Sequence, residues 1–207
     1  MRLVEQLRKE VIKRTAKNDS AHDFGHIVRV YKNAQTIARK EKANMKLVLA
    51  AALLHDIVWY PKSDPRSKTS SVSGAKEAKR ILKRYRYSVD EIKIITEAIR
   101  DHSFSRGVIP QTLEGKILQD ADRLDAIGAI GIARVFSVGG TEKRSFYNSE
   151  DPFCKFRVPD ETKWTLDHFY KKLLLLEKKM NTKTAKNEER RRIRIMNQFL
   201  REFKREI

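Results

Sequence analysis

Two polar residues end the apolar segment "AALLHDIVWYP", which spans residues 51–61. His55 and Asp56 follow a run of small and aliphatic side chains, and the chain becomes apolar again at Ile57. A buried carboxylate without a partner costs several kcal/mol, so such a group is normally paired, hydrogen-bonded or bound to a metal. The ordinary alternative is a histidine at a helix end, followed by an aspartate that caps the next turn. A metal site requires further ligands elsewhere in the chain.

A second histidine occupies the apolar face of a predicted helix. His26 precedes Val30 by four residues and Ile37 by eleven, so it shares a face with these core positions. A single histidine in such a position is more often a core residue with satisfied hydrogen bonds. Beside the doublet at 55–56, it becomes a candidate ligand.

Carboxylates interrupt the apolar pattern of "QDADRLDAIGAIG", residues 119–131. Asp122 and Asp125 share one side of the predicted helix with Leu118, which is costly unless something positive compensates them. Asp120 lies roughly 200° around the helix from Asp122 and also has apolar neighbours. Periodicity alone therefore does not choose between Asp120 and Asp122.

Two imidazoles and two carboxylates on predicted buried helices can share one cation. They are His26, His55, Asp56 and an aspartate of "DADRLDA". Such ligands suit Mn, Fe, Ni, Co, Zn or, with more water, Mg. The single cysteine, Cys154, has no CxxC neighbour, so a thiolate zinc site is not expected. We predict that the polar doublet binds one divalent metal ion inside a helical bundle.

The elements that must position these residues are helices. Only eight glycines and five prolines interrupt the chain, and apolar residues recur mostly at spacings of three and four. We predict an all-α fold, a helical bundle with additional C-terminal helices. Ser20 and Asp23 resemble a capping box before the second helix. The turn "NDSAHDFGH" is expected to precede the second helix, which runs to about Glu41. The other expected helices span residues 2–16, 45–56, 73–86, 88–101, 112–137 with a break near its glycines, 161–180 and 184–205. Residues 60–74 and 137–162 are expected to be long loops.

We predict a single domain for residues 1–207. Its core spans about 20–137, a loop follows at 138–160, and a helical extension occupies 161–207. The extension carries apolar stripes that we expect to pack on the core or on each other, with a dimer interface as the alternative. The stripes contain Leu166, Tyr170, Leu173, Met196, Phe199, Leu200 and Phe203. The expected state is therefore a monomer or a homodimer.

The chain carries a formal charge of +18. This charge indicates either attraction to polyanions such as nucleic acid or a lysine-rich surface. Residues 155–207 hold 16 Lys or Arg against 8 Asp or Glu, so the excess is enriched there. No apolar run approaches the roughly 20 residues that span a bilayer, and charges interrupt the N-terminus, unlike a secretory signal. We predict a cytoplasmic protein without membrane contact.

The segments "HDFGHIVRV", "LLHDI" and "DADRLDAIGAIGI" occur in the order H…HD…D. Over most of residues 20–137 this resembles the HD superfamily of metal-dependent phosphohydrolases. Within it, the segments most resemble the bacterial and archaeal subfamily that includes nucleoside triphosphate pyrophosphohydrolases. The resemblance implies the metal ligands His26, His55, Asp56 and Asp122, and it selects Asp122 over Asp120. Members with two metals carry extra histidines between the doublet and the last aspartate. Here only His102 lies there, so one ion is expected, although His102 could help to hold a second.

The remaining polar candidates are expected to act around the metal ligands. Candidates for contact with substrate phosphate are His22, Lys62 and His102. The alternative for the two histidines is a surface or capping role. The alternative for Lys62 is an ordinary surface lysine, since lysine is common in this chain. Candidates for catalysis, through water activation or the orientation of ligands, are Asp56, Asp125 and Asp23. His168 is expected to be structural.

The leading functional hypothesis is hydrolysis of a nucleoside triphosphate to a monophosphate and pyrophosphate. A nearby alternative is a phosphatase that acts on nucleoside monophosphates. A third possibility, a nucleic-acid-binding or regulatory protein that uses the basic C-terminal region, is not favoured. Its helices lack the interleaved aromatic residues that stack on single-stranded bases.

Overall fold

The computed structural model describes residues 2–15, 23–60 and 64–207. The described chain is all-α, as predicted, with no strand in these ranges and one isolated bridge between Ser145 and Trp164. The α-helices are α1 (Arg2–Thr15), α2 (Phe24–Glu41), α3 (Met45–Leu54), α4 (Ser70–Arg84), α5 (Val89–Asp101), α6 (Leu113–Asp125), α7 (Gly128–Thr141) and α8 (Lys183–Glu206). Short 3₁₀ helices lie at Pro65–Thr69, Phe104–Arg106 and Leu174–Leu176.

The chain divides into two compact units, Met1–Asp122 and Arg123–Ile207. The division falls within α6, before the predicted loop at 138–160 and well before the predicted extension at 161–207. The single domain of the sequence analysis stays a prediction.

Helix α3 forms the centre of the first unit. All eight residues from Leu47 to Leu54 are buried, because the helix is apolar on every side. Helices α1, α2 and α5 pack against it, and α4 packs against α5. The helix begins at Asn44, whose side chain accepts a hydrogen bond from the Leu47 backbone N–H.

Helix α6 is held to other parts of the first unit by side-chain amides. Asn33 of α2 donates to the Ala121 carbonyl at 3.2 Å. Gln119 of α6 donates to the Asp101 carbonyl at 3.0 Å and to the Val108 carbonyl at 2.8 Å. These bonds satisfy buried and partly buried carbonyl groups and fix the position of the "QDAD" segment.

The predicted break in the helix spanning 112–137 is confirmed, and it separates α6 from α7 at Ala126 and Ile127. Gly128 begins α7 with φ at +80°, a conformation that disfavours residues with a Cβ. A Cβ on Gly131 would lie 2.3 Å from the Ala126 carbonyl oxygen. The glycines therefore permit a turn too tight for larger residues.

Two predicted boundaries were wrong. Residues 65–74 are helical and not loop, because Pro65–Thr69 forms a 3₁₀ helix that leads directly into α4. The expected helix at 161–180 is much shorter, and its central part, Phe169–Leu173, is wound as a π-helix before the 3₁₀ turn at Leu174–Leu176. Hydroxyl-rich composition indicated a loop at the first site, but serine and threonine also suit helix starts.

The second unit is organised around aromatic side chains. Phe199 and Phe203 of α8 contact Phe136 of α7, with ring centroids 5.9 and 6.4 Å apart. Phe169 stacks on Phe199 at 5.9 Å, and Met196 is fully buried. The apolar stripe of α8 packs inside its own unit, as predicted.

No single described helix is long and apolar enough to cross a membrane. Helices α6 and α7 pass that test only when taken together, and on length and composition alone. Ser20, His22 and Lys62, which the sequence analysis singled out, lie outside the described residues.

Candidate metal centre

His26 is positioned by the start of α2. Asp23 is the N-cap residue, and its carboxylate accepts a hydrogen bond from the His26 backbone N–H at 2.9 Å. In the predicted capping box Ser20 would be the N-cap residue of α2, but the structure gives that position to Asp23. The imidazole of His26 is 1% exposed. A catalytic role for Asp23 stays a prediction, but its capping bond fixes the turn that carries His26.

His55 and Asp56 follow directly after α3 instead of belonging to it. His55 is the C-cap residue and is fully buried. Its Nδ1 donates to the Ala52 carbonyl at 2.8 Å. Because this bond holds the proton on Nδ1, the neutral ring presents the lone pair of Nε2.

The predicted histidine and aspartate ligands converge. His26 Nε2 and His55 Nε2 are 3.1 Å apart. Asp56 Oδ2 lies 3.5 Å from His26 Nε2 and 3.6 Å from His55 Nε2. One ligand atom from each of these three residues lies within 4.8 Å of the other two.

Asp122 of α6 approaches the same cluster. Its Oδ1 lies 3.6 Å from His26 Nε2, and its side chain is 27% exposed. Asp120, two residues earlier, is fully buried. Positions two apart on a helix point in different directions, and the structure brings the carboxylate of Asp122 to His26.

His102 joins the cluster, which periodicity did not indicate. It is the C-cap residue of α5, and its Nδ1 donates to the Ile99 carbonyl at 2.6 Å, as His55 does at the end of α3. Its Nε2 lies 3.8 Å from Asp56 Oδ1, and its ring centroid is 5.2 Å from that of His55. In the sequence, His102 was a candidate because of its place between the doublet and Asp122, and the structure brings it to the cluster.

The charges of the cluster are those that a cation needs. Burial lowers the pKa of His55, which outweighs the opposing attraction of Asp56 and keeps the imidazole neutral. Burial alone would raise the pKa of Asp56, but His55 and His26 hold it well below its usual range. Burial alone would also raise the pKa of Asp122, but His102 and His26 lower it below its ordinary value. A neutral His55 imidazole therefore faces the ionised carboxylates of Asp56 and Asp122.

This donor set fits a divalent metal ion. His26 Nε2 and His55 Nε2 are 3.1 Å apart. Because His55 Nδ1 carries the proton in its bond to Ala52, the lone pair of His55 Nε2 points at His26, and the two nitrogens require a proton or a cation between them. Carboxylate oxygens from Asp56 and Asp122 lie within 3.6 Å of His26 Nε2. The residues that would hold the ion are His26, His55, Asp56 and Asp122, an assignment that stays a prediction.

The other predicted site residues have partners of their own. Asp125 is buried, and its carboxylate accepts from Arg134 Nη1 at 2.7 Å. His168 pairs with Glu161 in the second unit, which agrees with a structural role. A catalytic role for Asp125 stays a prediction, and its bond to Arg134 already compensates its charge.

Adding Mn²⁺ to protein treated with a chelator is expected to raise its thermal midpoint. A ligand that binds the folded state alone stabilises it by about 2.7 kcal/mol at 100 times its Kd, which is roughly 5–10 °C for a chain of this size. Differential scanning calorimetry measures the shift. Asp56→Asn should remove most of it, and a full shift in that variant would contradict the ligand assignment.

Comparison with known proteins places this cluster in context. The HD domain matches the chain over residues 23–127. The Bacillus subtilis protein YpgQ is 35% identical over 220 residues, covering 100% of this chain and 95% of that protein. A crystal structure of YpgQ in complex with ADP matches with a TM-score of 0.78 and 31% identity, over 100% of this chain and 95% of that one. An HD-superfamily hydrolase from Bacillus thuringiensis matches with a TM-score of 0.75 and 35% identity, over 98% and 95% of the two chains.

Proposed function

This chain belongs to the HD family of metal-dependent phosphohydrolases, and we propose that it cleaves a nucleoside triphosphate to a nucleoside monophosphate and pyrophosphate. The observation that carries the proposal is the convergence of His26, His55 and Asp56, whose ligand atoms lie within 4.8 Å of one another. The structure of YpgQ with ADP supports a nucleotide as the substrate class.

The reaction needs one water molecule per nucleotide. A bond forms between the water oxygen and the α-phosphorus, and the bond from the α-phosphorus to the oxygen that bridges it to the β-phosphorus breaks. Pyrophosphate leaves with that oxygen, and the water releases a proton. A bound divalent ion supplies Lewis-acid polarisation of the phosphoryl group and acidifies water.

The residues of the cluster prepare this chemistry by fixing geometry and charge. The bond from His55 Nδ1 to the Ala52 carbonyl holds the ring so that Nε2 faces His26. Such support behind a ligand typically changes metal affinity or activity by about 10–100-fold. Asp56 stays ionised and is our candidate for both metal binding and water activation.

His102 is our candidate for contact with the substrate phosphate. Its bond to the Ile99 carbonyl turns Nε2 toward Asp56 Oδ1, at 3.8 Å. The ring therefore borders the carboxylate that we assign to the metal, where a bound phosphate would also lie. His22 and Lys62 remain candidates for the same role from the sequence alone.

Chromatography of the products separates the proposed reaction from its alternative. With Mn²⁺, Mg²⁺, Co²⁺ or Ni²⁺, we expect triphosphates to yield monophosphate and pyrophosphate in equal amounts, with no product from Asp56→Asn. Release of inorganic phosphate from monophosphates, without cleavage of triphosphates, would instead establish a phosphatase. The same screen identifies the preferred metal and base.

A further inference from the structure

One face of α8 is uniformly cationic. Six side chains form what we call the cationic stripe: Lys183, Lys186, Arg190, Arg194, Arg201 and Lys204. All six are exposed. At 3.6 residues per turn they fall within an arc of about 80°. The helix has 24 residues and is therefore about 36 Å long.

The cationic stripe contains no carboxylate. Among the described residues, none of its six cations forms an ion pair. The acidic residues Glu188 and Glu202 lie to one side of the stripe and pair with arginines outside it, at 2.6 Å to Arg191 and 2.9 Å to Arg205. Within this arc of α8 the other exposed residue is Asn197, and Asn187 at its edge accepts a hydrogen bond from Arg190 Nη2 at 2.6 Å. The face combines unpaired positive charge with hydrogen-bonding groups.

This arrangement does not serve the stability of the helix. The first turn of α8 has no acidic residue, and Lys183 and Lys186 lie near the positive end of the helix dipole, where cations are unfavourable. Cations four residues apart, such as Lys186, Arg190 and Arg194, repel one another. A local rule broken without a structural gain indicates a functional surface.

The opposite face of α8 holds the helix in place. Ile193 and Met196 are buried, and Phe199 contacts Phe136 and Phe169. Arg192 also donates to the Leu124 carbonyl at 2.5 Å. The cationic stripe is thus presented on a helix anchored within its unit, so little backbone conformational entropy is lost when a partner binds.

We propose that the cationic stripe binds the phosphate backbone of duplex DNA, as a second function beside nucleotide hydrolysis. A duplex rises roughly 3.4 Å per base pair along its axis, so α8 is about as long as one duplex turn, and the six cations can contact phosphates where the strands cross the stripe. Most contacts to phosphates position a protein without reading sequence, and binding without sequence preference is expected.

Two other polyanions fit this face less well. An interfacial membrane helix inserts apolar side chains beside its cations, but the apolar side of α8 packs inside its own unit. Single-stranded nucleic acid is bound by stacking on aromatic rings, and Phe199 and Phe203 are engaged with Phe136. Duplex DNA needs only the regular cations that the stripe presents.

Fluorescence anisotropy with the full chain and a labelled duplex of about 20 base pairs tests the proposal, without nucleotide or metal, so that it does not depend on hydrolysis. The variant carries Lys183→Gln, Lys186→Gln and Arg190→Gln. We expect its affinity to fall at least tenfold. The slope of log affinity against log salt should become shallower by about 2 to 3, because three phosphate contacts are lost.

The matched control carries Lys76→Gln, Lys79→Gln and Lys83→Gln in α4. These three lysines are exposed and have the same spacing as Lys183, Lys186 and Arg190. Their replacement removes the same amount of charge. We expect the control to bind DNA within twofold of the unaltered chain, and neither variant to have a lower thermal midpoint. Equal losses in the two variants would overturn the proposal, since net charge alone would then explain binding. Tighter binding to single-stranded RNA or to vesicles of anionic phospholipid would overturn it as well.

Discussion

His55→Ala and Asp56→Ala are each expected to abolish turnover and the retention of metal. Each change removes one of three ligand atoms that lie within 4.8 Å of one another. The loss should exceed about 100-fold, because residues that only support a ligand already contribute 10–100-fold. Initial rates of nucleotide hydrolysis and elemental analysis of the purified variants measure the two losses.

His168→Ala is the control for these variants. It removes a histidine whose partner is Glu161 in the second unit, and it should leave metal content unchanged. Circular dichroism verifies that every variant is folded. Full metal content together with unchanged activity in both His55→Ala and Asp56→Ala would show that the cluster is not the metal site.

Asp122→Asn is expected to be far more damaging to activity than Asp120→Asn. The first change weakens a charged group 3.6 Å from His26 Nε2, so kcat/KM should fall by about 100-fold or more. The second changes a fully buried side chain on another side of α6. The free energy of unfolding should fall by about 1 kcal/mol, which lowers the thermal midpoint. Activity should fall by less than about tenfold.

Comparing activity at matched folding separates the two aspartates. Rates are measured at a temperature where both variants are fully folded, and bound metal is measured in the same samples. Equal losses of activity at that temperature would contradict the choice of Asp122. If Asp120→Asn lost its metal and Asp122→Asn did not, Asp120 would be the ligand instead of Asp122.

The amino-acid sequence determined the fold class and the chemistry of the centre. Spacings of three and four predicted helices because a helix buries one face, and α1, α2, α5 and α8 were found within a few residues of their expected bounds. His26, His55 and Asp56 were identified because polar residues within apolar patterns must have partners. These properties are local, so they can be read without tertiary information.

Only the tertiary structure decided which groups meet. Periodicity left Asp120 and Asp122 open; the packing of α6, tied to α2 through Asn33 and Ala121, brings Asp122 to His26. The tertiary structure also placed His102, which the sequence offered only through the family resemblance, beside Asp56. Likewise, the sequence showed a basic C-terminal region, but only burial of the apolar side of α8 showed which cations remain exposed. Such contacts depend on how helices distant along the chain pack, and spacing within one helix does not contain that information.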